Sequence, residues 1–160
     1  MQRFIKQVSV SSLSQQAAIQ KLTMEQTYFR YVSLFLGISM FMFGILKFVN
    51  PFKAWYTIQV TNSELGNTSY WLGIIGEIAV GLIFISIVML MKSVSLRQLR
   101  LPGIFASTIV IVMMLTGMYV HFHPGVPAEV LPLKIKPPYI PGFFIALASL
   151  NILLAQRSLR

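Results

Sequence analysis

The chain has 160 residues, of which 56% are hydrophobic and 11% are charged, and 13 Lys and Arg against 4 Asp and Glu give a formal net charge of +9. Ordinary soluble domains carry charge on about a quarter of their residues, so the composition excludes a typical soluble globular domain. The chain contains no cysteine, which excludes disulfides, thiol nucleophiles and Cys-ligated metal sites.

Residues 1–30 precede the first long apolar run and form the first predicted unit, a cytoplasmic or interfacial segment. Its apolar residues are interspersed with Gln, Ser and Lys. No apolar stretch in it is long enough for a cleaved signal peptide. Two structures fit this pattern, a helix lying along the cytoplasmic surface of a membrane and a partly disordered lead-in.

Four apolar runs follow, at about 31–49, 70–91, 101–120 and 139–155. Each is close to the ~17–20 residues that cross a ~30 Å hydrocarbon core as a helix. Because no water is present there to satisfy open strand edges, helices are the expected spanning element. We therefore predict an all-α polytopic membrane protein, in which residues 31–160 form one four-helix transmembrane domain.

The connections between the runs differ in character. Residues 50–69 include the amphipathic stretch FKAWYTIQV, whose aromatic residues suit a membrane interface. The connection after the second run is short and basic. The connection after the third carries prolines at positions 124, 127, 132, 137 and 138, so we expect it to be irregular and to fold over the end of the bundle like a lid.

The basic residues lie mainly on one side of the predicted membrane. Nine precede the first run, separate the second from the third, or follow the fourth, whereas three lie in the other two connections. The positive-inside rule then places both termini in the cytoplasm. No nucleic-acid-binding module accompanies the charge, so no nucleic-acid partner is predicted. The nine are Arg3, Lys6, Lys21, Arg30, Lys92, Arg97, Arg100, Arg157 and Arg160, and the three are Lys53, Lys134 and Lys136.

Two opposite charges interrupt the apolar runs. Lys47 lies near the end of the first run and Glu77 lies inside the second. Charges in hydrocarbon cost several kcal/mol and are usually paired and functional. An antiparallel hairpin of the two runs brings the two charges together, and glycines at positions 37, 44, 73 and 81 place them on the tightly packed side. Three roles stay open: Lys47 extending to the interface, a structural ion pair, and a ligand site or proton relay.

Further polar and aromatic residues cluster at the same end of the predicted bundle. Since the two histidines that end the third run are spaced i and i+2, they point to different sides of a helix. We expect one to bond to the charged pair and the other to face the headgroups, and two imidazoles alone do not predict a metal site. The candidate ligand-binding cluster comprises Lys47, Glu77, His121, His123, Asn50, Trp55, Tyr70 and Tyr119.

Three short motifs resemble the DoxX-like family of membrane proteins. They are FGILKF at 43–48, GEIAVG at 76–81 and YVHFHP at 119–124. The resemblance covers about residues 31 to 155. It implies a four-helix membrane bundle and supports the importance of Lys47, Glu77 and His121. Relatives include a chaperone of nicotinic acetylcholine receptor assembly and membrane subunits of thiosulfate–quinone oxidoreductase, so it implies either assembly or redox roles.

The leading hypothesis is a binding, accessory or assembly subunit in a bacterial inner membrane, with an outward-facing polar pocket. No catalytic motif is evident, so an enzyme is not favoured and catalytic residues stay unassigned. The expected partners are the lipid bilayer, another membrane protein or a second copy of the chain, and a small lipophilic ligand. No cofactor is predicted, although a bound quinone stays open. The alternatives are a redox subunit or enzyme acting on a quinone-like lipophilic substrate, and a small transporter.

Overall fold

The computed structural model describes residues 2–157, with the side chains of residues 2–19 and 21–23 outside the description. This part of the chain is helical and contains no strand, which confirms the all-α prediction. Of the counted basic residues, Arg160 and the side chains of Arg3, Lys6 and Lys21 lie outside the described residues. The elements are α1 (Gln2–Leu46), α2 (Phe52–Asn62), α3 (Gly66–Leu90), α4 (Leu96–Phe122) and α5 (Tyr139–Arg157), with 3-10 turns at Ala128–Val130 and Pro132–Lys134.

Four helical segments are long and apolar enough to cross a membrane: Met24–Leu46, Gly66–Leu90, Leu96–Phe122 and Tyr139–Arg157. The predicted four-span membrane bundle is therefore confirmed. The outer faces of these segments carry large apolar side chains, which are suited to contact with lipid. Examples are Ile38, Ile75, Leu82, Met89, Phe105, Leu115 and Leu153.

The four spanning helices form a closed ring. α1 packs chiefly against α3 and α4 chiefly against α5, while α3–α4 and α1–α5 contacts complete the ring. The centre is apolar and completely buried, since Leu36, Met40, Phe84, Val110 and Ala148 each have no exposed surface. Van der Waals packing of this kind, rather than exclusion of water, drives helix association in lipid.

Glycines bring α1 and α3 close together, as the small-residue pattern predicts. A Cβ on Gly81 would lie 2.6 Å from the backbone nitrogen of Phe41, and one on Gly37 would lie 2.9 Å from the Cβ of Phe84. Near the other end, a Cβ on Gly44 would lie 2.6 Å from Cγ1 of Ile78. These contacts leave no room for a side chain, so the two helix backbones nearly touch along their length.

The helix boundaries differ most from the predicted runs at two places. α1 continues through residue 30, where a segment boundary was expected, and Phe29 is 2% exposed in the bundle core. α4 begins at Leu96, earlier than the predicted 101, and contains Pro102. Proline removes one helical hydrogen bond. Packing of this first part of α4 against the bundle offsets that loss. Leu99 is buried, with 5% of its surface exposed, and Gly103 lies so close to Phe29 that a Cβ on it would be 3.1 Å from the Phe29 ring.

A buried hydrogen-bonded chain joins three of the four spanning helices. The Ser33 hydroxyl donates to Oδ1 of Asn151 at 3.2 Å, and Nδ2 of Asn151 donates to the Ser107 hydroxyl at 3.3 Å. All three residues have no exposed surface. Since unsatisfied polar groups in hydrocarbon are costly, these bonds fix the mutual positions of α1, α4 and α5 at this level.

α2 and residues 123–138 cover the end of the bundle that lies away from these hydrogen bonds. Together we call them the cap. Nδ2 of Asn62 donates to the Gly125 carbonyl at 2.9 Å, and Nε2 of Gln59 donates to the Val130 carbonyl. The cap has a small apolar core of its own around Val126 and Leu131. The expectation that the proline-rich connection folds over the bundle is confirmed.

Candidate ligand-binding site

A cavity of about 830 Å³ lies between the cap and the spanning helices. Its walls are mainly apolar and come from every helix of the chain and from residues 130–134 of the cap. The polar side chains that line it include Lys47, Glu77 and His121. Volumes of about 300–1,000 Å³ are typical of small-molecule sites.

Lys47 and Glu77 form the ion pair predicted from the sequence. Nζ of Lys47 lies 2.6 Å from Oε1 of Glu77, and the two side chains are 15% and 9% exposed. The pair forms because α1 ends at Leu46, so Lys47 directly follows the helix and turns inward over α3. The second carboxylate oxygen, Oε2, is buried and has no hydrogen-bond partner among the described residues.

Tyr56 of α2 covers the ion pair from the cap side. Nζ of Lys47 lies 3.9 Å from the centre of the Tyr56 ring, which is a cation–π distance. The phenol donates to the Tyr70 carbonyl at 3.1 Å. Burial raises the pKa of Tyr56, and the Glu77 carboxylate raises it further, so the phenol stays protonated and keeps donating at neutral pH.

The two histidines separate as their spacing predicts, but neither bonds to the ion pair. His121 is 3% exposed and lines the cavity, and its Nδ1 lies 3.0 Å from the Lys136 carbonyl. The prediction that a histidine bonds to the charged pair is thus wrong, because Nδ1 of His121 bonds to the Lys136 carbonyl of the cap instead. His123 is half-buried in the cap, where its Nδ1 accepts from the Gly125 amide at 3.2 Å.

The structure brings only part of the predicted cluster to the cavity. Trp55 lines it beside Lys47, Glu77 and His121. Tyr70 does not line the cavity, but its ring packs against that of Tyr56, which does, with ring centres 4.9 Å apart. The remaining three residues are not part of the lining: Asn50 is exposed, Tyr119 donates to the Ser63 carbonyl at 3.3 Å, and His123 lies in the cap.

Sequence reasoning missed Tyr56 as a member of the site. Tyr56 was visible only as part of an amphipathic connection, and no pattern in that connection indicates which aromatic ring faces Lys47. The signal that could have found it is Gly73, because a residue without a side chain on α3 leaves room for a bulky neighbour. A Cβ there would lie 2.1 Å from the Tyr56 hydroxyl.

The site combines the Lys47–Glu77 pair with one imidazole in mainly apolar surroundings, and Lys134 of the cap is a second cation in the lining. Among the residues that the structure describes, no three His, Asp or Glu side chains lie close enough together to hold a metal ion. The polar groups can instead hold a ligand by hydrogen bonds, with the apolar walls contacting the rest of it.

Comparisons with protein-family models, curated proteins and solved structures give no match to this chain. The features that bear on function are the charged pair, the unpartnered carboxylate oxygen and the apolar walls around them.

Proposed function

We propose that the chain is a DoxX-like binding protein of a bacterial inner membrane, which holds a small lipophilic molecule in the cavity beneath the cap. In this role it serves as an accessory or assembly subunit for another membrane protein. One observation carries the proposal: Glu77 lines the cavity, and its Oε2 is buried and has no partner among the described residues.

An unpartnered buried acceptor is unfavourable. Leaving one without a hydrogen bond costs about 1–3 kcal/mol, and more for a charged group. A second hydrogen-bond donor to Oε2 would stabilise a purely structural ion pair. Among the described residues, however, the only hydrogen bond to this carboxylate is the one from Lys47 to Oε1. A bound molecule that donates to Oε2 removes this cost, which favours a ligand site over a role in architecture alone.

The distribution of charge supports the proposed orientation. Described basic residues at the end away from the cap are Arg30 in α1, Lys92 between α3 and α4, Arg97 and Arg100 at the start of α4, and Arg157 at the end of α5, and those in the cap are Lys53, Lys134 and Lys136. Under the positive-inside rule, this distribution supports an orientation with both termini in the cytoplasm and the cap outside. The cavity then opens to the outer half of the bilayer.

The test is to recover the ligand from the protein in phosphatidylcholine nanodiscs. Gly117 lines the cavity, and a Cβ on it would be 3.6 Å from Pro141, so Gly117→Leu fills part of the space. Gly142 is the matched control, because a Cβ there would meet nothing within 4 Å. We expect organic extracts of wild type and Gly142→Leu to contain a lipophilic compound that extracts of Gly117→Leu and of empty nanodiscs lack.

Identical extracts from folded Gly117→Leu and wild type would contradict the proposal. Folding of each variant is checked by its melting temperature. A quinone in the wild-type extract would support the redox alternative, and its reduction by the purified protein would then decide between binding and catalysis.

A further inference from the structure

The cavity reaches the lipid-facing surface between α3 and α4. Leu72 of α3 and Val112 of α4 both line the cavity, yet they are 65% and 58% exposed. A side chain that is exposed on the outer face and also contacts the cavity marks its edge. α3 and α4 are neighbours in the ring and meet beside this edge, where a Cβ on Gly76 would lie 3.2 Å from Cε of Met113.

Two acceptors belong to side chains that line the cavity. The first is Oε2 of Glu77, the unpartnered oxygen. The second follows from the hydrogen bond of His121, whose Nδ1 lies 3.0 Å from the Lys136 carbonyl oxygen. A carbonyl oxygen only accepts, so Nδ1 carries the proton, and Nε2 of the neutral ring is then an acceptor. A complementary ligand must bring a hydrogen-bond donor.

The charges around the site also restrict the net charge that a ligand can carry. Lys47 and Glu77 neutralise each other at 2.6 Å, so the pair has no net charge. Lys134 also belongs to the lining but is exposed on the cap, so a ligand charge placed beside the Lys47–Glu77 pair would stay uncompensated in apolar surroundings, which is unfavourable. A neutral hydroxyl can donate to Oε2 and leave the balance unchanged.

We infer that the ligand is an uncharged, hydroxyl-bearing lipophile that enters from the bilayer between α3 and α4 and donates its hydroxyl to Oε2 of Glu77. This inference rests on the proposed function and specifies the substrate class of the same site. The alkyl part of the ligand lies against the apolar walls and extends through the edge at Leu72 and Val112.

Two tryptophans make the inference measurable. The chain has Trp55, which lines the cavity, and Trp71, which is 49% exposed on α3. Trp71→Phe leaves Trp55 as the reporter of the cavity. Trp55→Phe leaves Trp71 as the reporter of the surrounding bilayer, and so measures probe that merely dissolves in lipid.

The first experiment titrates four probes into nanodisc-embedded Trp71→Phe: 1-dodecanol, dodecyl methyl ether, dodecanoate and dodecylammonium. We expect a saturable change in Trp55 fluorescence with 1-dodecanol. The ether should bind at least about tenfold more weakly, since one hydrogen bond to a charged group accounts for such a factor. The two charged probes should also bind more weakly than the alcohol. Trp71 in the Trp55→Phe protein should respond to all four without saturation.

The second experiment tests the entrance and the acceptor. Leu72→Phe enlarges a side chain at the edge, whereas Ile75→Phe makes the same enlargement at an equally exposed position of α3 outside the cavity lining. We expect several-fold slower association of 1-dodecanol with Leu72→Phe and an unchanged rate with Ile75→Phe. Glu77→Gln should remove the preference for alcohol over ether; if it fails to fold, the probe ranking on Trp71→Phe decides.

The outcomes separate the inference from the proposed function. Equal binding of the ether, or tighter binding of either charged probe, would overturn the hydroxyl-bearing class while a lipophile-binding function stands. Equal slowing by Leu72→Phe and Ile75→Phe would overturn the entrance between α3 and α4. If no probe saturates and the wild-type protein yields no lipophile on extraction, the proposed function falls as well.

Discussion

The hydroxyl of Tyr56 occupies the place of the side chain that Gly73 lacks. A Cβ on Gly73 would lie 2.1 Å from the Tyr56 oxygen, which donates to the Tyr70 carbonyl at 3.1 Å. Because Gly73 has no side chain, α2 can pack closely against α3 at this position. The same docking sets the Tyr56 ring over the Lys47 ammonium group.

This contact predicts that Gly73→Ala and Tyr56→Phe are coupled. Gly73→Ala should lower the free energy of unfolding by about 1–3 kcal/mol, the usual cost of inserting a methyl group into filled space. Tyr56→Phe alone should cost about 1 kcal/mol through the lost hydrogen bond. Because Phe lacks the oxygen that clashes, the double variant should lose less than the sum. Thermal melting in nanodiscs measures all three, and strictly additive losses would exclude the coupling.

The Lys47–Glu77 pair predicts an asymmetric response to substitution. Lys47→Met or Glu77→Gln alone should destabilise by about 3–5 kcal/mol, because each changes one member of a buried, charge-balanced pair. The double variant should be milder than either single one, since it leaves no uncompensated charge. Detergent melting curves of the four proteins form the required cycle. Losses that simply add would show that the two side chains act independently.

Close packing of α1 against α3 predicts opposite effects at two glycines. Gly81→Ala places a methyl group 2.6 Å from the Phe41 backbone nitrogen, so the helices must separate. We expect a loss of about 1–3 kcal/mol. Gly142→Ala is the control on α5, where the added Cβ meets nothing, and alanine's higher helix propensity should stabilise by up to about 1 kcal/mol. Equal melting temperatures of the two variants would contradict this account of the interface.

The Tyr56 phenol predicts a loss of stability at alkaline pH. Its folded pKa is raised above the unfolded value of about 10. Above pH 10 the unfolded chain therefore releases this proton while the folded protein keeps it, which favours unfolding. The stabilising contribution is full below pH 10 and declines as pH rises further. Melting temperatures from pH 8 to 11 should fall more steeply for wild type than for Tyr56→Phe. Parallel curves for the two proteins would disprove a stabilising contribution of the protonated Tyr56 phenol.

The fold is predictable from the sequence because each spanning segment contains a long continuous run of apolar residues. Span length and the absence of water leave few alternatives to a helical bundle. The ends of the helices were less predictable. Phe29 joins the core although polar residues surround it in sequence, and Pro102 stays inside α4 because contacts with other helices outweigh its local preference.

The site was predictable where charge conflicts with its surroundings. Lys47 and Glu77 each stand out in an apolar run, and the hairpin geometry brings them together. Tyr56 and the His121–Lys136 contact were not predictable, because both depend on how the cap folds back over the helices. Likewise, Ser33, Ser107 and Asn151 are uncharged polar residues in different runs, and only the packing of α1, α4 and α5 shows that they are hydrogen-bonded to one another.

That buried chain has a consequence for motion. Ser33 and Ser107 lie about 20 Å along their helices from Lys47 and His121, at 1.5 Å per residue. α3 contributes no side chain to it among the described hydrogen bonds. The level of Ser33, Ser107 and Asn151 is thus fixed by hydrogen bonds, whereas at the cap end no described hydrogen bond joins α3 to α4, since the described bonds of α3 there go to Lys47 and Tyr56. Separating α3 from α4 to admit a guest from the membrane then breaks no described hydrogen bond between these two helices.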